Sequence, residues 1–139
     1  MPSIQLPPGV YTFDAHIIGS LARMTAGEER LDHGVPVTTA PFQNPFFQEW
    51  EVIPEGSGYR IHLAEQEELI LVAVNDRLWV TDSGQPAIWT FEKTLGGLHI
   101  VSEKGLRWNS RYLGGQIDLT PPGDMPNQVW TVRRLGDID

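Results

Sequence analysis

The sequence predicts an all-β fold that closes on itself in three similar units, and three observations carry that expectation. Tryptophan stands in matched surroundings in Gln48-Glu49-Trp50-Glu51-Val52, Ala87-Ile88-Trp89-Thr90-Phe91 and Gln128-Val129-Trp130-Thr131-Val132, with spacings of 39 and 41 residues. A glycine leads into a strand-like run after the first two, in Gly58-Tyr59-Arg60-Ile61 and Gly97-Leu98-His99-Ile100, and the chain opens similarly with Gly9-Val10-Tyr11-Thr12-Phe13. Short runs rich in β-branched and aromatic residues recur throughout, and no stretch has a convincing helical period. A period of about 40 residues marks a supersecondary unit that cannot bury its apolar face alone, so the units must pack on one another.

Taken in order, unit one offers strands over 10–14, 20–24, 35–40 and 49–53. Unit two offers 59–64, 69–74, 78–81 and 88–93, and unit three 98–102, 106–110, 116–120 and 129–134. Within them, Tyr59, Ile61 and Leu63 alternate with Arg60 and His62, the mark of one buried and one wet face. Glycine and proline punctuate the gaps, as in Pro7-Pro8-Gly9, Gly56-Ser57-Gly58, Gly96-Gly97, Gly114-Gly115 and Pro121-Pro122-Gly123. Asn75-Asp76 reads as a tight hairpin turn, because both residue types tolerate left-handed dihedrals. Three groups of four short strands define a β-trefoil, a six-stranded barrel capped by three hairpins. A propeller would need a further repeat, and closure removes exposed sheet edges. Trp50, Trp89 and Trp130 are then equivalent barrel residues, packed in the core with each indole N–H in need of a partner.

At 139 residues the chain is expected to form one domain over 1–139, with a core of useful size. Its net charge of −8 would repel a phosphate backbone, which argues against nucleic acid as a partner. The absence of cysteine excludes disulfides, thiolate metal sites and a cysteine nucleophile. Met1-Pro2-Ser3-Ile4-Gln5-Leu6-Pro7-Pro8 lacks the pattern of a signal peptide. The longest aliphatic run, Leu69-Ile70-Leu71-Val72-Ala73-Val74, is far short of the roughly 20 residues of a membrane helix. A soluble cytoplasmic protein, with no membrane partner, is the expectation.

Catalytic groups do not converge in the sequence. His16, His33, His62 and His99 show no metal-binding spacing. The serines Ser20, Ser57, Ser83, Ser102 and Ser110 lack a nucleophile elbow, and no glycine run forms a phosphate cradle. Glu65, Glu67 and Glu68 read as a solvated turn. No enzyme activity, metal or cofactor is expected. The remaining class is binding through loops on a rigid frame, which holds a loop ready for its partner at small ordering cost.

The pair Gln48-Glu49-Trp50 and Gln128-Val129-Trp130 resembles the Gln-x-Trp signature of ricin-type β-trefoil lectins, with Ala87 in place of the glutamine in unit two. Sugar sites in those lectins also use an early aspartate and an aromatic platform; Asp14 matches in unit one, with Glu65 and Glu103 as substitutes elsewhere. As a whole the chain more closely resembles the small cytosolic protease inhibitors of mushrooms, the mycocypins and fungal serine-protease inhibitors. That likeness runs through Pro8-Gly9-Val10-Tyr11, then from Val35-Pro36-Val37-Thr38 to Pro45-Phe46-Phe47-Gln48-Glu49-Trp50, and through Pro121-Pro122-Gly123-Asp124-Met125-Pro126-Asn127.

The resemblance to serine-protease inhibitors implies that a first-unit loop presents a basic residue to the protease. The matching stretch is Thr25-Ala26-Gly27-Glu28-Glu29-Arg30-Leu31-Asp32-His33-Gly34, where Arg30 is the basic residue, flanked by Glu29 and Leu31. An arginine in an extended loop fits the trypsin specificity pocket and pairs with the aspartate at its base. The mycocypin likeness implies papain-like targets, and an asparagine loop against legumain for which Asn75 is the nearest candidate. The alternative is a carbohydrate-binding module, because the chain also resembles cysteine-free fungal lectins with one sugar site in the third unit. There Trp108 would be the platform, with Asn109 and Tyr112 beside it. The expected partner is therefore a serine or cysteine protease, or else a glycan.

Overall fold

The computed structural model describes residues 3–17, 20–42 and 47–138. Its strands are β1 (Ser3–Ile4), β2 (Gly9–Ile17), β3 (Ser20–Ala26), β4 (Val35–Ala40), β5 (Trp50–Glu55), β6 (Gly58–Leu63) and β7 (Gln66–Val74). They continue with β8 (Arg77–Thr81), β9 (Thr90–Thr94), β10 (Gly97–Val101), β11 (Arg107–Asn109), β12 (Asp118–Thr120) and β13 (Trp130–Gly136). A 3-10 turn at Pro126–Gln128 precedes the last strand, and no α-helix occurs among the described residues. β2 to β13 each answer one of the expected strands. β1 was not foreseen; it pairs antiparallel with β9 through Ser3↔Glu92 and Ile4↔Phe91.

The sheet closes on itself. A circuit of nine strands runs β2-β5-β6-β7-β8-β12-β11-β10-β13 and returns to β2, with β3 and β4 bridging β2 to β8. The seam is β13 on β2, from Trp130↔Ala15 to Arg134↔Tyr11, so the two ends of the chain complete the closure. Closure leaves few unpaired edges for another chain to extend.

The matched tryptophans pair with matched neighbours. Trp50 lies opposite Tyr11, Trp89 opposite Tyr59, and Trp130 opposite Leu98. The Tyr59–Trp89 pair exchanges both backbone bonds, N–H to O at 2.9 and 2.8 Å. This crossing explains the glycines before Tyr59 and Leu98. A Cβ at Gly58 would sit 2.7 Å from the Trp89 carbonyl, and one at Gly97 would collide with the Trp130 carbonyl. Only glycine lets the backbones approach that closely.

All three indoles are buried, with Phe13, Phe91 and Trp108 packed among them. Trp108 lies 5.3 Å from both Phe13 and Trp89, and 5.8 Å from Trp130, in tilted or edge-on contacts. Such pairs add about 0.5–1.5 kcal/mol each beyond the area they bury. Trp50 Nε1 donates to the Met24 carbonyl at 3.3 Å and Trp130 Nε1 to the Trp108 carbonyl at 3.2 Å. Among the described residues Trp89 and Trp108 have no oxygen acceptor for their indole N–H; these rings meet edge-on at 79°, an arrangement in which a ring edge meets a π face.

The glutamines of the Gln-x-Trp pattern are buried clamps. Gln48 Nε2 donates to the Pro41 carbonyl at 2.8 Å and to Thr25 Oγ1 at 3.1 Å. Gln128 Nε2 donates to the Pro121 carbonyl and Thr120 Oγ1, each at 2.8 Å, while its Oε1 accepts from the Gly123 N–H at 2.9 Å. They tie the chain leaving β4 and β12 back to the starts of β5 and β13. Ala87 makes no such side-chain bond, and its backbone N–H reaches the Leu71 carbonyl at 3.4 Å instead.

Candidate functional site

The β3–β4, β7–β8 and β11–β12 links carry most of the candidate residues, and they differ in length. The first joins β3 to β4 over 27–34, shorter than expected because Thr25 and Ala26 belong to β3. Its base is closed by the Gly27 N–H bonding the Pro36 carbonyl at 2.9 Å. Its tip is closed by Leu31 and Gly34, which bond each other in both directions at 2.7 and 3.2 Å around Asp32-His33. Gly34 has φ 119°, and a Cβ there would collide with the Val80 carbonyl. Glu28, Glu29, Arg30, Leu31, Asp32 and His33 are all exposed. The side chain of Arg30 is 53% exposed and its Nη1 meets Asp82 Oδ1 at 3.5 Å. The glutamates beside it in sequence form no ion pair with it. Between this link and residues 81–85 lies an open groove of about 470 Å³.

The second link is the turn Asn75-Asp76, with φ of 53° and 58°, between the paired residues Val74 and Arg77. This is the two-residue hairpin expected from the sequence. Asn75 is exposed but sits in the shortest connection of the three.

The third link, 110–117, folds around a hollow. Ser110 is buried and donates from both N–H and Oγ to the Asn127 carbonyl, at 2.9 and 3.2 Å. The Gly115 N–H bonds the Tyr112 carbonyl at 3.0 Å, and Thr39 Oγ1 donates to that same carbonyl at 3.0 Å. Tyr112 is 64% exposed. Its ring covers Gly115 so closely that a Cβ there would lie 2.9 to 3.1 Å from three ring carbons. Arg77, Arg111, Tyr112, Gln116 and Asp118 line a cavity of about 340 Å³.

Two expectations for this region are corrected. Trp108 is not an exposed platform; it has no solvent exposure and stands at the centre of the aromatic core. Asn109 is only 5% exposed, with Nδ2 donating to Asp118 Oδ1 at 2.9 Å, so it orients the carboxylate rather than meeting a ligand. Both lie on β11, where consecutive residues are buried, whereas the likeness to fungal lectins implied an exposed platform. Asp14, matched to the lectin aspartate, is held by Arg23 at 2.8 and 3.3 Å, and the Arg23 guanidinium lies 3.8 Å over the Phe42 ring.

Sequence reasoning missed Asp82, just after β8, Arg77 on β8, Gln116 within the third link and Asp118 on β12. Register brings two of them together: Arg77 pairs with Asp118, and Asp118 with Asn109, in a row across β8, β12 and β11. Arg111 Nε and Nη2 hold Asp118 Oδ2 at 2.9 and 2.8 Å, a contact that pushes the Arg111 pKa further up. Among the described residues no cluster of His, Asp and Glu is able to hold a metal ion, and no helix is long and apolar enough to cross a membrane.

No family model matches the sequence, and no curated protein matches it. Similar solved structures include the designed 3-fold symmetric protein ThreeFoil, at a TM-score of 0.75 and 18% identity, covering 91% of this chain and 99% of that one. The Macrolepiota procera ricin B-like lectin in complex with lactose follows at a TM-score of 0.74 and 14% identity, covering 95% of this chain and 100% of the lectin. A proteinase inhibitor from Coprinopsis cinerea has a TM-score of 0.71 and 15% identity, covering 94% of this chain and 100% of the inhibitor. The fold is that of the β-trefoil proteins. Both resemblances drawn from the sequence thus recur among the structural neighbours, at identities that speak for fold alone.

Proposed function

We propose that the protein is a protease inhibitor, not an enzyme, and that it acts through the β3–β4 link with Arg30 as the residue that fills a trypsin-like specificity pocket. The observation that carries this reading is the exposure of Arg30 and Leu31 on a connection tied at base and tip by backbone hydrogen bonds. A link so tied loses little conformational freedom on docking. Its contact with Asp82 is an exposed ion pair at the outer limit of distance, worth at most about 1 kcal/mol, so a protease carboxylate competes for Arg30 at small cost. Glu29 and Leu31 flank the contact. The frame beneath reads as a six-stranded barrel of β2, β5, β6, β9, β10 and β13 with hairpins attached, a reading supported by the Tyr11–Trp50, Tyr59–Trp89 and Leu98–Trp130 pairs.

Asn75 would serve against an asparagine-directed cysteine protease. The two-residue turn that holds it limits its reach, so the serine class is preferred. A single domain over 1–139 without cysteine suits a reducing compartment such as the cytoplasm. Inhibition assays against trypsin, chymotrypsin, papain and legumain test the reading. Trypsin inhibition at stoichiometric concentration is expected; inhibition of papain or legumain alone would move the site to other loops.

A second reading, glycan binding in the third unit, is favoured by one observation. Tyr112 presents a largely exposed ring at the mouth of a polar cavity. With Trp108 in the core, Tyr112 is the aromatic residue this reading needs.

A further inference from the structure

We propose that the cavity beside Tyr112 takes an acidic saccharide, one bearing a carboxylate or sulfate group, rather than a neutral sugar. This rests on the glycan reading and names its ligand class. Three features of the cavity support it.

The first is charge. The protein carries a net charge of −8, yet this cavity is lined by two guanidiniums and one carboxylate. The Asp118 carboxylate is already engaged on both oxygens, by Asn109 on Oδ1 and by Arg111 on Oδ2. Arg77 sits directly across from Asp118 in the β8–β12 pairing, where side chains share a face. It forms no ion pair among the described residues. An exposed arginine of this kind offers a fork of donors matched to an oxyanion.

The second feature is the ring. Gly115 lies under Tyr112, and the 112–115 turn is pinned by Thr39 and by its own backbone bond. One face of the phenol ring is therefore backed by main chain and the other is free. A braced aromatic face packs on the apolar side of a sugar ring without first having to be ordered.

The third is the remaining polar group. Gln116 Nε2 donates to the Leu78 carbonyl at 2.8 Å, which fixes the amide and leaves its Oε1 as an acceptor for a hydroxyl. A cavity of about 340 Å³ lies at the small end of ligand pockets, a size suited to one or two sugar rings. The aromatic face and Gln116 serve any sugar; Arg77 discriminates in favour of an acidic one.

Calorimetric titration of the intact protein with lactose, sialyllactose and a sulfated lactose tests this, since the three probes share a neutral core. Binding of one or both acidic probes with little binding of lactose is expected, weakening as salt is raised, and the pair separates carboxylate from sulfate recognition. Arg77→Gln should weaken acidic binding about tenfold or more, as for loss of a hydrogen bond to a charged group. Tyr112→Ala, and Gly115→Ala which displaces the ring, should weaken binding of every probe. Thermal unfolding of Arg77→Gln and Tyr112→Ala should match wild type, which separates lost contacts from lost fold. Lactose binding equal to that of the acidic probes would overturn the inference and leave the glycan reading standing. Acidic binding untouched by Arg77→Gln would also overturn it, and no binding of any probe would remove both.

Discussion

The β3–β4 and β11–β12 links each join two neighbouring antiparallel strands of one closed sheet, yet they expose opposite things. Residues 28–33 turn their side chains to solvent, with Arg30 and Leu31 outward. Residues 110–117 bury Ser110, Gly115 and Ile117 and share a hollow with Arg77 and Asp118. The β7–β8 link is only Asn75-Asp76. The strands beneath are alike because closure and the aromatic core dictate them; the links are free to differ because few core contacts depend on them. An exposed, tied arginine suits insertion into a partner's pocket, whereas a hollow with a braced ring suits receiving a small ligand.

The comparison breaks if frame and links contribute alike to stability. The largest effect should come from the frame: Trp130→Ala removes a fully buried indole and should cost about 3–5 kcal/mol, seen as a lower urea midpoint with an unchanged slope. A smaller loss, about 1–3 kcal/mol, is expected for Gln128→Ala. It strands the Pro121 carbonyl and the Gly123 N–H, both partners of the clamp. An unchanged midpoint for Gln128→Ala would mean that the clamp is not what ties the end of β12 to the start of β13.

The smallest frame effect concerns pH. Burial, with the Arg107 charge added, pulls the His99 pKa below its ordinary value of 6.5, opposed by Glu92. The unfolded chain therefore binds the proton more readily than the folded one. Stability from this group is present above about 6.5 and is lost as pH falls towards the lowered folded value. His99→Gln should flatten stability against pH in that window, as measured by urea unfolding at several pH values. In the links, Arg30→Ala and Tyr112→Ala should shift stability by no more than about 0.5 kcal/mol.

Much of the frame was legible in the chain because its signals recur along the sequence. The Asn75-Asp76 turn reports a local constraint, whereas the tryptophan spacing and the glycines at Gly58 and Gly97, which face the Trp89 and Trp130 carbonyls, report one arrangement repeated along the chain. β1 escaped notice because two residues, Ser3–Ile4, carry no periodicity; their pairing with β9 is a tertiary fact. Trp108 was misplaced for a related reason. Nothing in Arg107-Trp108-Asn109 tells a core strand from a binding edge, and its burial follows from the three other indoles and rings that surround it. Arg30 was legible as the basic residue of a link that carries Gly27 and Gly34, and Tyr112 only through the likeness to fungal lectins. Asp82, Arg77 and Asp118 were not: Arg77 and Asp118 meet across strand register, and Asp82 reaches Arg30 from a separate connection after β8.

Trypsin inhibition by wild type and by Arg30→Ala, measured side by side as inhibition constants, tests the central claim most directly. Removal of the guanidinium leaves the aspartate of the protease pocket unpaired, which costs about 2–5 kcal/mol, or roughly tens- to thousands-fold in the constant. Arg30→Lys should retain part of the inhibition, and both variants should unfold at the wild-type midpoint. Equal inhibition by wild type and Arg30→Ala, or no inhibition by the wild type, would contradict the assignment of the β3–β4 link as the inhibitory site.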